Sequence, residues 1–184
     1  MTFVVVDVET TGLGHAAFPP RADGVVQVGM AWREKSKVKS WSDYCNPGKE
    51  FLADGRADEA LSINKIPMAV IHKSRLAKAV AEDFRLQVKV IEDRTDEDAS
   101  FLAYNRSFDE GFLSKAPWSV PRDKWGPCVM KAAAYHLTGY SRLGLGRAMQ
   151  MLEIPWPGKR AHDAALDAHA ALLVHEKING RRQL

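Results

Sequence analysis

Two acidic side chains end an apolar run near the amino terminus. The stretch VVVDVETTGLG, residues 4–14, places Asp7 and Glu9 one residue apart. Its short, β-branched start predicts a buried strand over 3–8, and side chains two apart on a strand share a face. Neighbouring, poorly solvated carboxylates repel, so either one takes up a proton or a cation lies between them. Magnesium and manganese prefer such oxygen ligands, whereas a strand that merely emerges into water is the alternative.

A third acid repeats this layout later in the chain. In FLAYNRSFD, residues 101–109, an apolar strand and a turn lead to Asp109 at the start of a predicted helix. Ser107 and Glu110 have the spacing of a capping box for that helix. The structural alternative for Asp109 is an acid favoured by the positive end of the helix dipole.

A histidine and a fourth acid lie five residues apart in HDAALDA, residues 162–168. On one continuous helix, His162 and Asp167 would be about 140° apart and could not meet. They converge if His162 lies in the preceding loop, with Asp163 as the N-cap and Asp167 in the first turn. We therefore expect the last helix to begin just after His162.

The pattern between these motifs is that of an α/β protein. Three successive strands with short connections predict an antiparallel meander, and apolar residues at helical spacing then precede a fourth strand. The composition, 46% hydrophobic and 27% charged, is typical of a globular chain. The predicted strands are 3–8, 25–33, 37–44 and 101–104, and the predicted helical regions are 58–92, 107–113, 129–137, 145–152 and 164–178.

These segments together resemble a known enzyme family. VDVETTGL, AYNRSFDEGFL and HDAALDA are similar to the three motifs of the DEDDh (DnaQ-like) 3′→5′ exonucleases, which include the proofreading subunit of bacterial DNA polymerase III and ribonuclease T. The match runs from Val4 to about Val174. The resemblance implies an RNase H-like fold, in which a mixed five-stranded sheet is flanked by helices. It also implies that residues 1–184 form a single exonuclease domain.

The resemblance assigns roles to five side chains. Asp7, Glu9, Asp109 and Asp167 would hold two divalent ions, magnesium or manganese, that promote phosphodiester hydrolysis. His162 would accept the proton of the attacking water, because an unperturbed imidazole has a pKa of about 6.5. The implied product is a nucleoside 5′-monophosphate released from a 3′ end.

Further residues are expected to contact the terminal nucleotide. The resemblance implies this for the residues after the first motif, where Gly12 permits close backbone passage and Leu13 can stack on a base. A purely structural turn is the alternative for Thr11 and Asn105, and a core position is the alternative for Phe108. A proline-containing loop over 15–23 follows, and its Arg21 is expected to influence which ends enter. The predicted substrate-binding residues are Thr10, Thr11, Gly12, Leu13, Asn105 and Phe108.

Charge and cysteine content narrow the protein class only modestly. The net charge of +3 and the pI near 8.9 are compatible with an anionic partner. Cys45 and Cys128 lack the spacing of a zinc site, and the amino terminus lacks the pattern of a signal peptide or membrane span. We therefore expect a cytoplasmic protein without a membrane partner.

The expected substrate is the 3′ end of single-stranded nucleic acid. DNA is favoured, which would place the chain in repair or proofreading beside replication or repair proteins. An exoribonuclease that trims RNA ends or short oligoribonucleotides is the alternative. A non-catalytic nucleic-acid-binding module is a remote third hypothesis, because its expected signature is the loss of an acid and all four acids are present.

Overall fold

A mixed sheet of four strands forms the centre of the protein. The computed structural model describes residues 1–14, 23–158 and 162–181. The strands are β1 (Thr2–Thr10), β2 (Val25–Glu34), β3 (Lys37–Tyr44) and β4 (Ala99–Ala103), in the order β3-β2-β1-β4. The first three strands pair antiparallel, and β4 pairs parallel to β1. The predicted meander is confirmed. Residues 15–22 of the predicted loop 15–23 lie outside the described residues.

The predicted fifth strand is not formed by the described residues. Trp125 makes an isolated parallel bridge to Phe101 of β4, and the N–H of Gly126 donates a hydrogen bond to the carbonyl oxygen of Phe101 over 2.8 Å. Pro121 and Pro127 flank this bridge, and neither has the N–H that a continuous ladder requires. The pairing beside β4 therefore stays limited to one position.

Helices cover both faces of the sheet. The helix Ala77–Thr95 packs on one face of the sheet, whereas the last helix lies on the other. None of the described helices is long and apolar enough to cross a membrane. The helices are α1 (Lys49–Leu52), α2 (Arg56–Asn64), α3 (Met68–Lys73), α4 (Ala77–Thr95), α5 (Arg106–Leu113), α6 (Val129–Thr138), α7 (Leu145–Met151) and α8 (Ala164–Arg181), with 3₁₀ turns at Ala53–Gly55 and Arg122–Lys124.

The helical region predicted over 58–92 is divided into separate helices. Lys65 adopts a left-handed conformation that ends α2, and Pro67 cannot continue a helix. Leu76, a member of the predicted apolar pattern, is exposed and precedes α4. The predicted capping box on α5 is also wrong, because the carboxylate of Glu110 pairs with Arg106 over 2.8 Å.

Strand β1 separates two apolar cores. Val4, Val6 and Val8 face the core that contains α4, whereas Val5 faces the core formed with α6, α7 and α8. Burying a side chain of this size contributes roughly 1.5–3 kcal/mol, so the alternation fixes which side of β1 faces which helices. Asp7 lies two residues after Val5 and consequently faces α8.

Candidate active site

The end of β1 presents two carboxylates on the face that α8 covers. Asp7 pairs with Gly29 of β2, and Glu9 pairs with Gln27. Glu9 has only 7% of its surface exposed, and Asp7 is partly buried. A register shift between Glu9 and Thr10 ends the regular pairing immediately after the second acid. The strand thus delivers both acids, on the same face, to one end of the sheet.

Helix α5 brings Asp109 to the same end. Because β4 is parallel to β1, the turn after β4 places α5 beside the carboxyl end of β1. The N–H of Val8 donates a hydrogen bond to Oδ1 of Asp109 over 3.2 Å, and Asp109 is 2% exposed. This bond places the third acid next to the first two.

The start of α8 contributes His162 and Asp167. Oδ1 of Asp163 accepts hydrogen bonds from the N–H groups of Ala165 and Leu166 at 3.2 and 3.3 Å, which confirms the predicted N-cap. His162 precedes this cap in a left-handed conformation, with φ of 61°. Its N–H donates to Oδ2 of Asp167 over 3.2 Å. The loop therefore turns the histidine back towards the first helical turn.

A glycine on β2 permits α8 to approach so closely. A Cβ atom at Gly29 would lie 2.2 Å from the carbonyl carbon of Ala164, far inside van der Waals contact. On the same strand, the buried amide of Gln27 accepts a hydrogen bond from the N–H of Ala164 over 3.4 Å. Gly29 and Gln27 together seat the start of α8 over Asp7 and Glu9. Neither residue was predicted from the sequence, although a glycine inside a β-branched strand is a signal for close backbone approach.

Three side chains lie within metal-ligand distance of one another. One ligand atom from each of Glu9, His162 and Asp167 lies within 4.8 Å of the other two. Oδ1 of Asp167 is buried and has no hydrogen-bond partner among the described residues. A buried, unsatisfied carboxylate oxygen beside another acid fits a hard divalent cation. Asp7 and Asp109 lie outside this closest group but adjoin it.

Comparison with known proteins gives local sequence similarity. Protein-family models give no match. Ribonuclease T of Actinobacillus pleuropneumoniae serotype 5b (strain L20) is 32% identical over 93 residues, which cover 48% of this chain and 42% of that protein. Ribonuclease T of Haemophilus ducreyi (strain 35000HP / ATCC 700724) is 30% identical over 115 residues, 59% of this chain and 53% of that protein. The chain thus matches about half the length of these curated relatives.

Solved structures match nearly the whole chain. Cell-death related nuclease 4 (CRN-4) superposes with a TM-score of 0.73 at 16% identity, over 98% of this chain and 64% of that one. The nuclease domain of 3′hExo, a DEDDh family member bound to rAMP, gives a TM-score of 0.70 at 13% identity, over 99% and 92% of the two chains. This chain has a DEDDh exonuclease fold. The resemblance predicted from the three motifs is confirmed.

On this DEDDh fold, burial raises the pKa of each clustered acid, and repulsion between the acids adds to the rise for Asp7 and Glu9. Loss of solvation is the largest cause for Asp7, whose pKa rises well above its usual range, with added repulsion from Asp109, Asp167 and Glu9. Loss of solvation also raises the pKa of Glu9 to about 8, and repulsion by Asp167 and Asp109 adds to it. The pKa of Asp109 rises to about 8 and that of Asp167 to about 6, mainly through burial. Such a cluster of buried carboxylates is stabilised when it binds protons or a cation.

A cleft of about 540 Å³ adjoins the clustered acids. Its walls come from the segment after β1, from α2 and from the start of α5. Leu13 is 85% exposed and projects into open space at this cleft. The α2 residues were not predicted from the sequence, because no motif distinguishes them. Residues lining the cleft are Glu9, Thr10, Thr11, Gly12, Leu13, Glu59, Ile63, Asn64 and Phe108.

The predicted substrate-binding threonines have structural partners. Oγ1 of Thr10 donates to the carbonyl oxygen of Gly12 over 2.6 Å. Oγ1 of Thr11 accepts from the N–H of Gly24 over 2.9 Å and donates to Asp23 over 3.4 Å. Their hydroxyl groups thus hold the turn after β1, and their backbone lines the cleft. A Cβ atom at Gly12 would lie 2.6 Å from the Asp23 carboxylate, so a larger residue there would have to displace that side chain.

The two predicted residues of the second motif are placed differently. Phe108 lines the cleft while its ring packs against Phe112, with ring centroids 5.1 Å apart. Asn105 precedes α5, where its side-chain oxygen accepts a hydrogen bond from Ser107 over 3.2 Å. Asn105 is not among the residues that line the cleft. The structure therefore brings five of the six predicted contact residues to the cleft wall.

Proposed function

We propose that the chain is a metal-dependent 3′→5′ exonuclease domain that releases nucleoside 5′-monophosphates from single-stranded 3′ ends. The observation that carries the proposal is the convergence of Glu9, His162 and Asp167 to within 4.8 Å beside Asp7 and Asp109, on a DEDDh fold. Four acids clustered by three distant segments match the needs of phosphodiester hydrolysis. The adjoining cleft is large enough for a terminal nucleotide.

The acids are proposed to bind two divalent ions, magnesium or manganese. Glu9 and Asp167 would hold one ion, Asp109 the other, and Asp7 both. When bound, such ions supply an activated water and stabilise the leaving oxygen. The unpaired Oδ1 of Asp167 and the raised pKa values of the acids support this assignment.

His162 is proposed to take the proton from the attacking water. Its backbone bond to Asp167 fixes the loop, and its side chain reaches ligand distance from Glu9. The imidazole is exposed, so it can pass the accepted proton to solvent.

The choice between DNA and RNA as the substrate is a separate part of the proposal. From the sequence we expect DNA. A role in repair or proofreading, beside replication or repair proteins, would accompany that substrate and stays a prediction. RNA is the second candidate, because both curated relatives are named Ribonuclease T. A further structural neighbour is a 3′-exonuclease that recognises a histone mRNA stem-loop, with a TM-score of 0.72 at 15% identity over 97% of this chain and 64% of that one.

The decisive experiment follows shortening of 5′-labelled DNA and RNA of one sequence, with magnesium, manganese or a chelator. We expect stepwise loss of 3′ nucleotides in the presence of metal and none in chelator. The Asp7→Asn variant should be inactive, and Asp93→Asn, which changes an exposed acid of α4, should retain activity. Exclusive shortening of one polymer would decide the sugar. Absence of metal-dependent release from every substrate would refute the proposal.

A further inference from the structure

One continuous stretch of the chain carries positive charge without any acid. Between Asp123 and Glu153 the sequence contains no aspartate or glutamate. The same stretch contains two lysines and two arginines, so its formal charge of +4 exceeds the net charge of the whole chain, +3. It comprises α6, the loop 139–144 and α7. Lys124 pairs with Asp98 over 3.6 Å, and the positive charge that is not neutralised in this way attracts a partner of the opposite sign. The four cations are Lys124, Lys131, Arg142 and Arg147.

Two exposed tyrosines accompany these cations. Tyr135 on α6 is 78% exposed and Tyr140 in the following loop is 76% exposed. Lys131 precedes Tyr135 by four residues, so both lie on one face of α6. Within the described parts of the chain, neither Lys131 nor Arg142 forms an ion pair. Exposed aromatic rings beside unpaired cations are the features that bind bases and phosphates of single strands.

A hydrogen bond ties this surface to the active-site end of the sheet. Val6 is level with Ala103 in the parallel pair, so Tyr104 is level with Asp7. Tyr104 also packs in the core shared with α8, which places its side chain on the same face as Asp7. Its hydroxyl group donates to the carbonyl oxygen of Leu143 over 2.7 Å. Tyr140 is three residues before Leu143, which limits their separation to about 10 Å.

We propose that α6 and the loop 139–144 bind the single-stranded segment that lies upstream of the terminal nucleotide. Tyr135 and Tyr140 stack on bases, and Lys131 and Arg142 contact phosphates. The surface is joined to the acid-bearing end of the sheet through the hydrogen bond between Tyr104 and Leu143, and it contributes no residue to the cluster of acids. This proposal rests on the proposed exonuclease function, since it names the substrate segment that the same site requires.

The surface acts on long substrates and not on short ones. Neither tyrosine lines the cleft, so we expect a dinucleotide bound there not to contact them, whereas a longer strand reaches both. Loss of the tyrosines therefore raises KM for a long strand and leaves dinucleotide turnover unchanged. Each lost phosphate contact on a single strand should reduce the slope of log Kd against log salt by about 0.7.

The test measures binding and turnover separately. Fluorescence anisotropy with labelled oligothymidine and oligouridine of about 20 nucleotides, in chelator, gives Kd without hydrolysis. We expect the Tyr135→Ala/Tyr140→Ala variant to bind about tenfold more weakly or worse, with an unchanged Tm. Arg142→Gln should lower the salt slope. The matched control is Leu86→Ala/Lys89→Ala, which removes an exposed apolar and a cationic side chain from α4 on the opposite face of the sheet.

The outcomes distinguish this surface from the proposed function. If the wild-type protein is active and the tyrosine variant has an unchanged Kd, the proposed binding surface is overturned and the proposed exonuclease function still stands. If the wild-type protein binds the strand but has no hydrolytic activity, and the tyrosine variant binds more weakly, the binding surface is supported while the proposed function fails. A variant that changes the oligomeric state but not the Kd overturns the proposal in favour of an interface between copies. Equal weakening by the α4 control also overturns it.

Discussion

Gly29 and Ala164 are in direct backbone contact between β2 and the start of α8. No side chain fits between them, since a Cβ atom on Gly29 would lie 2.2 Å from the carbonyl carbon and 2.5 Å from the carbonyl oxygen of Ala164. This contact sets the distance between the acids of β1 and the residues of α8. The geometry of the whole candidate site therefore depends on the absence of one methyl group.

Substitution of this glycine should displace α8. We expect Gly29→Ala to lower the free energy of unfolding by about 1–3 kcal/mol, and to weaken magnesium binding because Asp167 moves away from Glu9. Chemical denaturation and calorimetric titration with magnesium measure the two effects. Gly146→Ala is the control, because a Cβ atom at Gly146 in α7 meets nothing within 4 Å. Normal stability and metal binding of Gly29→Ala would contradict the assigned role.

The raised pKa values predict an unusual dependence of stability on pH. The pKa of Glu9 rises from 4.5 to about 8, and that of Asp109 rises from 3.8 to about 8. Between the unfolded and folded pKa values the native state binds more protons than the unfolded state. In the absence of metal, the free energy of unfolding should consequently fall as pH rises from about 4 to about 8.

Thermal denaturation in chelator tests this expectation. Tm should fall by about 5 °C or more over that range. Magnesium should restore Tm, and its effect should grow as pH rises, because protons and the cation compete for the same carboxylates. The Asp7→Asn variant should show a weaker pH dependence, since it removes one of the repelling charges. A Tm that is flat with pH and indifferent to magnesium would exclude a cation site here.

His162 should matter for turnover and not for stability. Its side chain is exposed, so His162→Ala should leave Tm within about 1 °C of the wild-type value. Loss of a proton acceptor should lower kcat by about a hundredfold to ten-thousandfold, with KM little changed. Steady-state kinetics on labelled oligonucleotides measure this separation. The control His72→Ala changes an exposed histidine on α3, and equal losses in both variants would argue against a specific role.

Substitutions of Thr11 and Leu13 are predicted to affect different properties, the stability in one case and the KM in the other. Thr11→Val removes the acceptor for the buried N–H of Gly24 and should lower stability by about 1–3 kcal/mol. Leu13→Ala removes an exposed side chain and should leave stability unchanged while raising KM for the terminal nucleotide. Denaturation and kinetics on the same two proteins provide the comparison. A stability loss confined to Leu13→Ala would reverse the roles.

The sequence predicts the elements that carry the proposed site residues well, because local patterns determine those elements. The strand before Asp7 and Glu9, and the cap before Asp167, are both readable from residue types within a few positions. The meander follows in the same way from three short, closely spaced strands. Interactions that span the chain are different. The fit of Gly29 under Ala164 joins positions 135 residues apart, and no local pattern contains it.

The errors in the predicted fold have related causes. The helical region over 58–92 satisfies an apolar periodicity that continues across Pro67 and Leu76, yet the backbone breaks at both places. The contribution of α2 to the cleft, through Ile63 and Asn64, depends on how separate helices pack around the end of β1. Periodicity cannot predict such placement, because it reports which face of a helix is apolar and not what that face meets.

The bridge between Trp125 and Phe101 also bears on self-association. By occupying the outer side of β4, this short segment removes backbone groups that another polypeptide could otherwise recruit into an intermolecular sheet. At the opposite margin, β3 carries Lys37 and Lys39, whose charges oppose strand addition from a second molecule. One position on the outer side of β4 is thus already paired within the chain, and at the other margin the charges of β3 disfavour an added strand.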